Sequence, residues 1–371
     1  MHIVDRGILA KAEANSSRAA LTFPALICLP NGSLLAFVHA GSRKDCDDES
    51  IEVYRSADGS TWQFEQRLTC EQEINGAKGG LRIAYPTQIS ENHLLLTAMF
   101  IDHSSYPGQG LFNAETEGCL PMYILLADSF DDGRTWSEWR YLPLPEEIGP
   151  ASLTSPVVQL ADGTLVMSIE NNKHYLDSTP WQQKVVLFHS HDQGKTWGEP
   201  VIAGFDPSGR IFNWDQRVGL APDGTLGTFV WTYDRVENRY LNVHRRISRD
   251  GGHSWSAAED LGFADQAGRP AVLADGRVVL PWVDRFGSHS IRARLAPSIE
   301  SAFAPASEVE LYALAQSKAD TGEDTGALLA DMSIWTFGLP FAETLANGDV
   351  LVVFYAGSDS LLDIHYVRLR P

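Results

Sequence analysis

Runs of lysine and arginine are missing from this chain. Its formal net charge is −19, and no basic block appears anywhere in its 371 residues. Nucleic acids are bound by a basic face that meets phosphate, so they are not expected partners. Anionic membranes are not expected partners on the same ground. Long apolar runs are missing too, and so is any extended pattern of period 3.6, which leaves no expected membrane helix and no helical bundle. The opening stretch MHIVDRGILAKAEANSSRAALTF has no basic start followed by an apolar core, so it does not read as a signal peptide. Cysteine is sparse. Cys28, Cys46, Cys70 and Cys119 form no CxxC pair, and their spacing suggests neither a zinc site nor a disulfide framework. They read as mostly buried thiols in a reducing compartment, with the cytoplasm as the expected location. No ligand-spacing motif for a metal is present, so neither metal nor cofactor is expected.

What the chain does have is one turn, repeated. SADGSTW begins at Ser56, SFDDGRTW at Ser129, SHDQGKTW at Ser190 and SRDGGHSW at Ser248. Ser and Asp side chains bond nearby backbone N–H groups, Gly takes the left-handed conformation, and Trp supplies an apolar anchor. A second pattern lies upstream of each: an apolar strand, a Gly turn and another apolar strand. It starts at Pro24, Pro86, Pro156, Arg217, Pro270 and Pro340. Asn31-Gly32, Asp162-Gly163 and Asp275-Gly276 are hairpin turns by chemistry. The spacing of roughly 55–70 residues is a propeller period.

Each unit thus holds four strands, the first two around the Gly turn and the last two around the Trp turn. Six such units predict an all-β, six-bladed propeller as a single domain over residues 1–371. The last unit lacks a fourth strand, which His2–Leu9 is expected to supply, closing the ring. The fifth unit lacks the Trp turn and has RARLAPSIESAF instead. Strand parity puts the Gly and Trp turns on one face. The loops between second and third strands, and the residues just before each first strand, fall on the other. Those loops are long and charged, as binding loops on a rigid scaffold tend to be.

The four Trp turns with their intervening hairpins resemble the sialidase (neuraminidase) superfamily, whose repeat is the Asp-box or BNR repeat. The resemblance spans essentially the whole chain. It implies glycoside hydrolysis, with three arginines on the sugar carboxylate, a tyrosine nucleophile activated by glutamate, and an aspartate acid/base. The positions match unevenly. Thr22 stands at the first arginine and Leu339 near the tyrosine, with Tyr355 at the end of the neighbouring strand. The acid/base loop is AGSRKDCDDES, with Asp45, Asp47, Asp48 and Glu49. Asp215 is the shorter counterpart of the glutamate. The other two arginines fall near Trp231 and Ser288, with Arg235 and Arg285 close by.

The candidate catalytic carboxylates are therefore Asp47, Asp48, Glu170 and Asp215. Candidate substrate contacts are Arg43, Arg82, Tyr85, His103, Arg217, Arg235, Arg285 and Tyr355. Trp214, Trp231 and Trp282 read as exposed aromatics that stack on sugar faces. The expected function is exo-acting hydrolysis of a small, acidic sugar, with a carbohydrate as the partner. Two alternatives stand beside it. One is a polysaccharide or oligosaccharide lyase on the same fold, using His103 or Tyr85 near Arg82. The other is a propeller that binds carbohydrate or protein without turnover.

Overall fold

A computed structural model describes residues 1–314 and 335–371. Among them the only helices are the single turns Glu146–Ile148 and Pro305–Ser307, and everything else regular is strand. No helix among the described residues is long and apolar enough to cross a membrane.

The strands follow one another as antiparallel meanders, the arrangement of a β-propeller. Gly79–Ser90, His93–Asp102, Met122–Ser129 and Arg140–Leu142 form one. The next is built on Leu165–Asn171, Lys184–Ser190 and Val201–Phe205, and the one after on Ile211–Leu220, Leu226–Asp234, His244–Ser248 and Glu259–Asp260. A further one is built on Val278–Asp284, Ser290–Ala296 and Val309–Ala313. Separate blades therefore number four among the described residues, not the expected six. The strands of the first and last repeats merge into one eight-stranded sheet. The seam is a parallel pairing of Ala20 with Leu362, whose N–H donates to Ala19 O at 3.0 Å. In that sheet His2–Ala10 lies antiparallel to Leu361–Arg370, so the first strand of the chain pairs with the last.

Two first strands are broken around a proline, which removes a donor. In the third repeat the strand splits into Ala151–Leu153 and Val158–Gln159 around Pro156. In the fifth it splits into Gln266–Ala267 and Ala271–Val272 around Pro270.

The four Trp turns have one geometry. In the second repeat Ser129 Oγ donates to Asp131 at 2.9 Å and accepts from Gly133 N at 2.9 Å, while Asp131 accepts from Thr135 N at 2.9 Å. Ser190, Asp192 and Thr196 repeat this, as do Ser248, Asp250 and Ser254. Gly133 sits at φ 78°, and a Cβ there would lie 2.6 Å from Leu35 Cδ1 of the preceding repeat. Trp136 meets Phe37 edge-on in the same seam. The turns are thus joints between neighbouring repeats. Gly133→Ala should lower stability by about 1–3 kcal/mol, through left-handed strain plus the clash with Leu35. Equilibrium denaturation reads this directly, and an unchanged midpoint would remove the joint role.

At the opposite face the first strands carry bulges. Pairing slips between Thr22 and Ala25, between Trp214 and Arg217, and between Gly338 and Phe341. A non-glycine residue there takes a positive φ each time: Phe23 at 46°, Asp215 at 50° and Leu339 at 48°. Bulges re-aim side chains, and such left-handed strain collects at functional sites. Of these three residues only Asp215 is polar.

Candidate active site

A continuous arc of polar side chains links the second-strand ends, the bulges and one loop. Glu170 closes the strand Leu165–Asn171 and is 6% exposed. Its Oε1 accepts from Gln216 N at 2.8 Å. The neighbouring Asp215 pairs with Arg217 Nη2 at 3.3 Å and accepts from Gln266 Nε2. Gln266 in turn accepts from Arg285 Nε at 3.1 Å. Arg285 also donates to Phe337 O at 2.9 Å, and its guanidinium stacks 4.0 Å from the Trp335 ring centre. It reaches the Tyr355 hydroxyl as well. Finally Lys44 Nζ donates to Tyr355 Oη at 2.9 Å.

Electrostatics separates these groups. Burial and the charge of Asp215 push Glu170 up to about 8, against the opposing pull of Gln216 N–H and Arg217. The upward push favours the protonated acid, the form with a proton to give. Burial alone would raise the Tyr355 phenol, but Lys44 and Arg285 outweigh it and hold the phenol below its ordinary value. Burial lowers Lys44, with Tyr355 opposing. Burial also pushes Asp265 up to about 7 against Arg285. A proton donor and an activated hydroxyl thus belong to one hydrogen-bonded set, the combination needed for acid-assisted displacement.

Above Tyr355 lies a cavity of about 870 Å³ lined by Arg43, Lys44, Asp45, Asp47, His103 and Trp335 among others. The phenol is fully covered.

A second network is internal. Glu49, buried, is contacted by Arg82 Nε, by His103 Nε2 at 2.8 Å and by His39 Nε2 at 3.3 Å. Burial raises its carboxyl, but Arg82 and the two histidines more than reverse this and hold it far below the usual range. Arg82 is only 2% exposed and completes its fork on Asp45 at 2.8 Å. This set ties the first-repeat loop to the second repeat.

The sequence-predicted residues thus fall into groups. Glu170, Asp215, Arg217, Arg285 and Tyr355 come together in the arc. Tyr85 lies beneath it, buried, with Arg217 Nη1 donating to its hydroxyl at 3.1 Å and its ring stacked on Phe341. Arg43, Asp47 and His103 line the cavity. Asp48 is exposed and bonds its own loop, accepting from Ser42 N at 3.0 Å and Ser42 Oγ at 2.9 Å. Arg82 is buried and faces the carboxylates of Glu49 and Asp45, and Arg235 pairs with Glu117 at 2.9 Å.

The exposed-aromatic expectation is corrected. Trp214, Trp231 and Trp282 are 7%, 1% and 2% exposed. Trp231 stacks on Tyr240 at 4.2 Å, Trp214 on Tyr233 at 5.2 Å, and Trp282 packs against Phe263 at 4.5 Å. Their faces are covered by other aromatics and meet no sugar. Lys44, Gln266, Asp265 and Trp335 escaped the sequence reading. Gln266 was within reach, because it lies shortly ahead of the apolar pattern that starts at Pro270, as Asp215 lies shortly ahead of the one that starts at Arg217.

Among the described residues no group of three or more His, Cys, Asp or Glu side chains is placed to hold a metal ion.

No family model matches the chain, and a search of curated proteins finds no match. Solved structures do match it, some of them over nearly their full length. A protein of unknown function from Dyadobacter fermentans DSM 18053 superposes with a TM-score of 0.71 at 20% identity, over 98% of this chain and 99% of that one. An intramolecular trans-sialidase from Ruminococcus gnavus, in complex with oseltamivir carboxylate, gives 0.62 at 14% identity, over 98% and 96%. An α-L-arabinanase from Penicillium chrysogenum, complexed with arabinobiose, gives 0.64 at 16% identity, over 99% and 98%. At these identities the likeness establishes the fold alone, a β-propeller.

Proposed function

We propose that the chain is an exo-acting glycoside hydrolase that removes an acidic sugar, built as one sialidase-like propeller domain of Asp-box repeats. In this reading the eight-stranded sheet serves as two blades, which gives a ring of six. The observation that carries it is the arc itself, with Tyr355 held by Lys44 and Arg285 at one end and protonated Glu170 beside Asp215 at the other. The matched sialidase and arabinanase folds support it.

The chemistry follows from the roles. Tyr355 Oη attacks the anomeric carbon as its proton passes to Lys44 Nζ, 2.9 Å away, which returns it when Tyr355 leaves. The bond to the glycosidic oxygen breaks, and that oxygen takes the Glu170 proton and leaves as an alcohol. Water then attacks the same carbon, giving its proton to the Glu170 carboxylate, and Tyr355 leaves. Two displacements give net retention. Asp215 does not react; its charge keeps Glu170 protonated until the leaving group needs the proton. Arg285 donates to the neutral oxygens of Gln266 and Phe337, so among the described residues no carboxylate hydrogen-bonded to its guanidinium cancels the charge it holds against the Tyr355 phenol.

The test is incubation with aryl glycosides of sialic acid, glucuronic acid and arabinose, followed by NMR of the released sugar. Chromophore release from an acidic glycoside, with the retained anomer formed first, is expected. An unsaturated product absorbing in the near ultraviolet would mean elimination and overturn the hydrolase. Binding without turnover by a folded sample would overturn the enzyme.

A further inference from the structure

We propose that the wall of the 870 Å³ cavity carries a second acid/base centre, the His103–Glu49 dyad, which hydrolyses a neutral carboxylic ester. It uses neither Glu170 nor Tyr355, so it does not depend on the glycosidase reading.

The dyad spans the boundary between core and cavity. His103 follows the strand His93–Asp102 and lines the cavity, with 14% of its side chain exposed. Its Nε2 donates to Glu49 Oε1 at 2.8 Å. The other oxygen of the buried Glu49 is contacted by Arg82 Nε and by His39 Nε2, the latter at 3.3 Å. Burial raises this carboxyl, but Arg82 and the two histidines outweigh it and keep the group ionised. An ionised carboxylate only accepts, so the ring nitrogen facing it carries the proton. Nδ1 is left with a lone pair, and among the described residues none bonds to it. An imidazole whose tautomer is set by a buried carboxylate is the arrangement of a general base.

The base is also held in place. His103 N donates to Lys78 O at 3.1 Å. Asp102 accepts from Ser104 N at 2.8 Å and from Ser105 N at 3.0 Å, which fixes the turn around His103. On the inner side His39 Nδ1 lies 2.8 Å from Thr22 Oγ1. Such supporting contacts keep a base in its productive geometry. A structural tie between the two repeats is already made by Arg82, which bridges Glu49 and Asp45. His103 adds an imidazole at the edge of the cavity.

The surroundings select the substrate. Elimination needs a cation on the substrate carboxylate, and Arg82 is committed to Glu49 and Asp45. Ester hydrolysis needs a base and a charge for the oxyanion. Arg43 is exposed on the same wall, has no ion pair among the described residues, and is available for that charge. Asp45, Asp47 and Asp359 outnumber Arg43 and Lys44 in the lining, which disfavours an anionic ester and leaves a neutral one. A water oxygen attacks the ester carbonyl carbon as its proton passes to His103 Nδ1. The carbonyl electron pair moves to the oxygen, facing Arg43. The pair then returns, the bond to the alkoxy oxygen breaks, and that oxygen takes the proton from Nδ1 and leaves as an alcohol. The acyl group departs as the carboxylic acid.

The test is hydrolysis of 4-nitrophenyl acetate. The wild type should exceed the buffer rate, and His103→Gln should lower kcat/KM about 10²-fold. His103→Ala should regain rate when free imidazole is added, which a merely structural histidine would not allow. His253→Gln, an exposed histidine of the turn SRDGGHSW, should stay within about twofold of wild type and so controls for stray imidazole catalysis. No hydrolysis above buffer, an undiminished rate in His103→Gln, or a loss that imidazole does not restore would overturn the dyad. The two readings fail separately. Ester hydrolysis without turnover of any aryl glycoside keeps the dyad and removes the glycosidase. Glycoside turnover without ester hydrolysis does the reverse.

Discussion

Exchanging Glu170 for glutamine should lower kcat about 10³-fold and leave KM nearly unchanged. A positioned general acid contributes roughly 10²–10⁴-fold, and glutamine keeps the shape and the bond from Gln216 N while removing the proton. The loss should shrink for leaving groups that depart without protonation, such as dinitrophenolate. In the wild type, activity should fall as pH rises through about 8, the value to which burial and Asp215 push this acid. That limb should be missing in the variant. Stability gives an independent readout. The folded value lies above the ordinary carboxylate value, so the wild type is favoured below the unfolded value and loses stability as pH rises through the folded one. Glu170→Gln carries no such penalty, so its advantage in thermal midpoint over the wild type should grow from pH 5 to pH 9. A variant that loses activity and becomes less stable at pH 9 would point to a structural role instead.

Tyr355→Phe should be as severe, with turnover down by about 10³-fold or more, because the attacking oxygen is removed outright. The ring fills the same space, so the fold should hold. The sign of the tyrosine's perturbation can be checked without a substrate. Lys44 and Arg285 hold the phenol below its ordinary value. An ultraviolet titration of the wild type should therefore show one tyrosine ionising before the rest, and the variant should lack that phase. Activity close to wild type in Tyr355→Phe would leave Asp215 and Glu170 as the working pair.

The repeats are legible in the sequence because their chemistry is local. Asn31-Gly32 and Asp162-Gly163 dictate hairpins with little help from distant residues, and Ser129, Asp131 and Gly133 close their turn among themselves. The pairing of His2–Ala10 with the final strand is legible for a related reason, since the last repeat has an edge to cover. The merging of the first and last repeats is not, because it depends on where Ala20 meets Leu362, a matter of tertiary approach. Glu170 and Asp215 stand out because carboxylates are out of place at the ends of apolar strands. Lys44 does not. In the loop Ser42–Ser50 it is one charge among many, and only the fold brings it 2.9 Å from Tyr355, 311 residues away. The tryptophans mislead for the opposite reason. They stand close to the charged loops in the sequence, but only packing decides whether a ring meets solvent or, as for Trp231, another ring at 4.2 Å.

The most direct measurement is the turnover of an aryl α-sialoside by the wild type, Glu170→Gln and Tyr355→Phe, at matched folded fraction. If the arc from Glu170 to Tyr355 is the catalytic site, the wild type releases the chromophore and both variants fall by at least about 10²-fold. Equal rates in all three proteins would place the chemistry elsewhere on the propeller. No release by the wild type, here or on the other acidic aryl glycosides, would contradict the hydrolase itself.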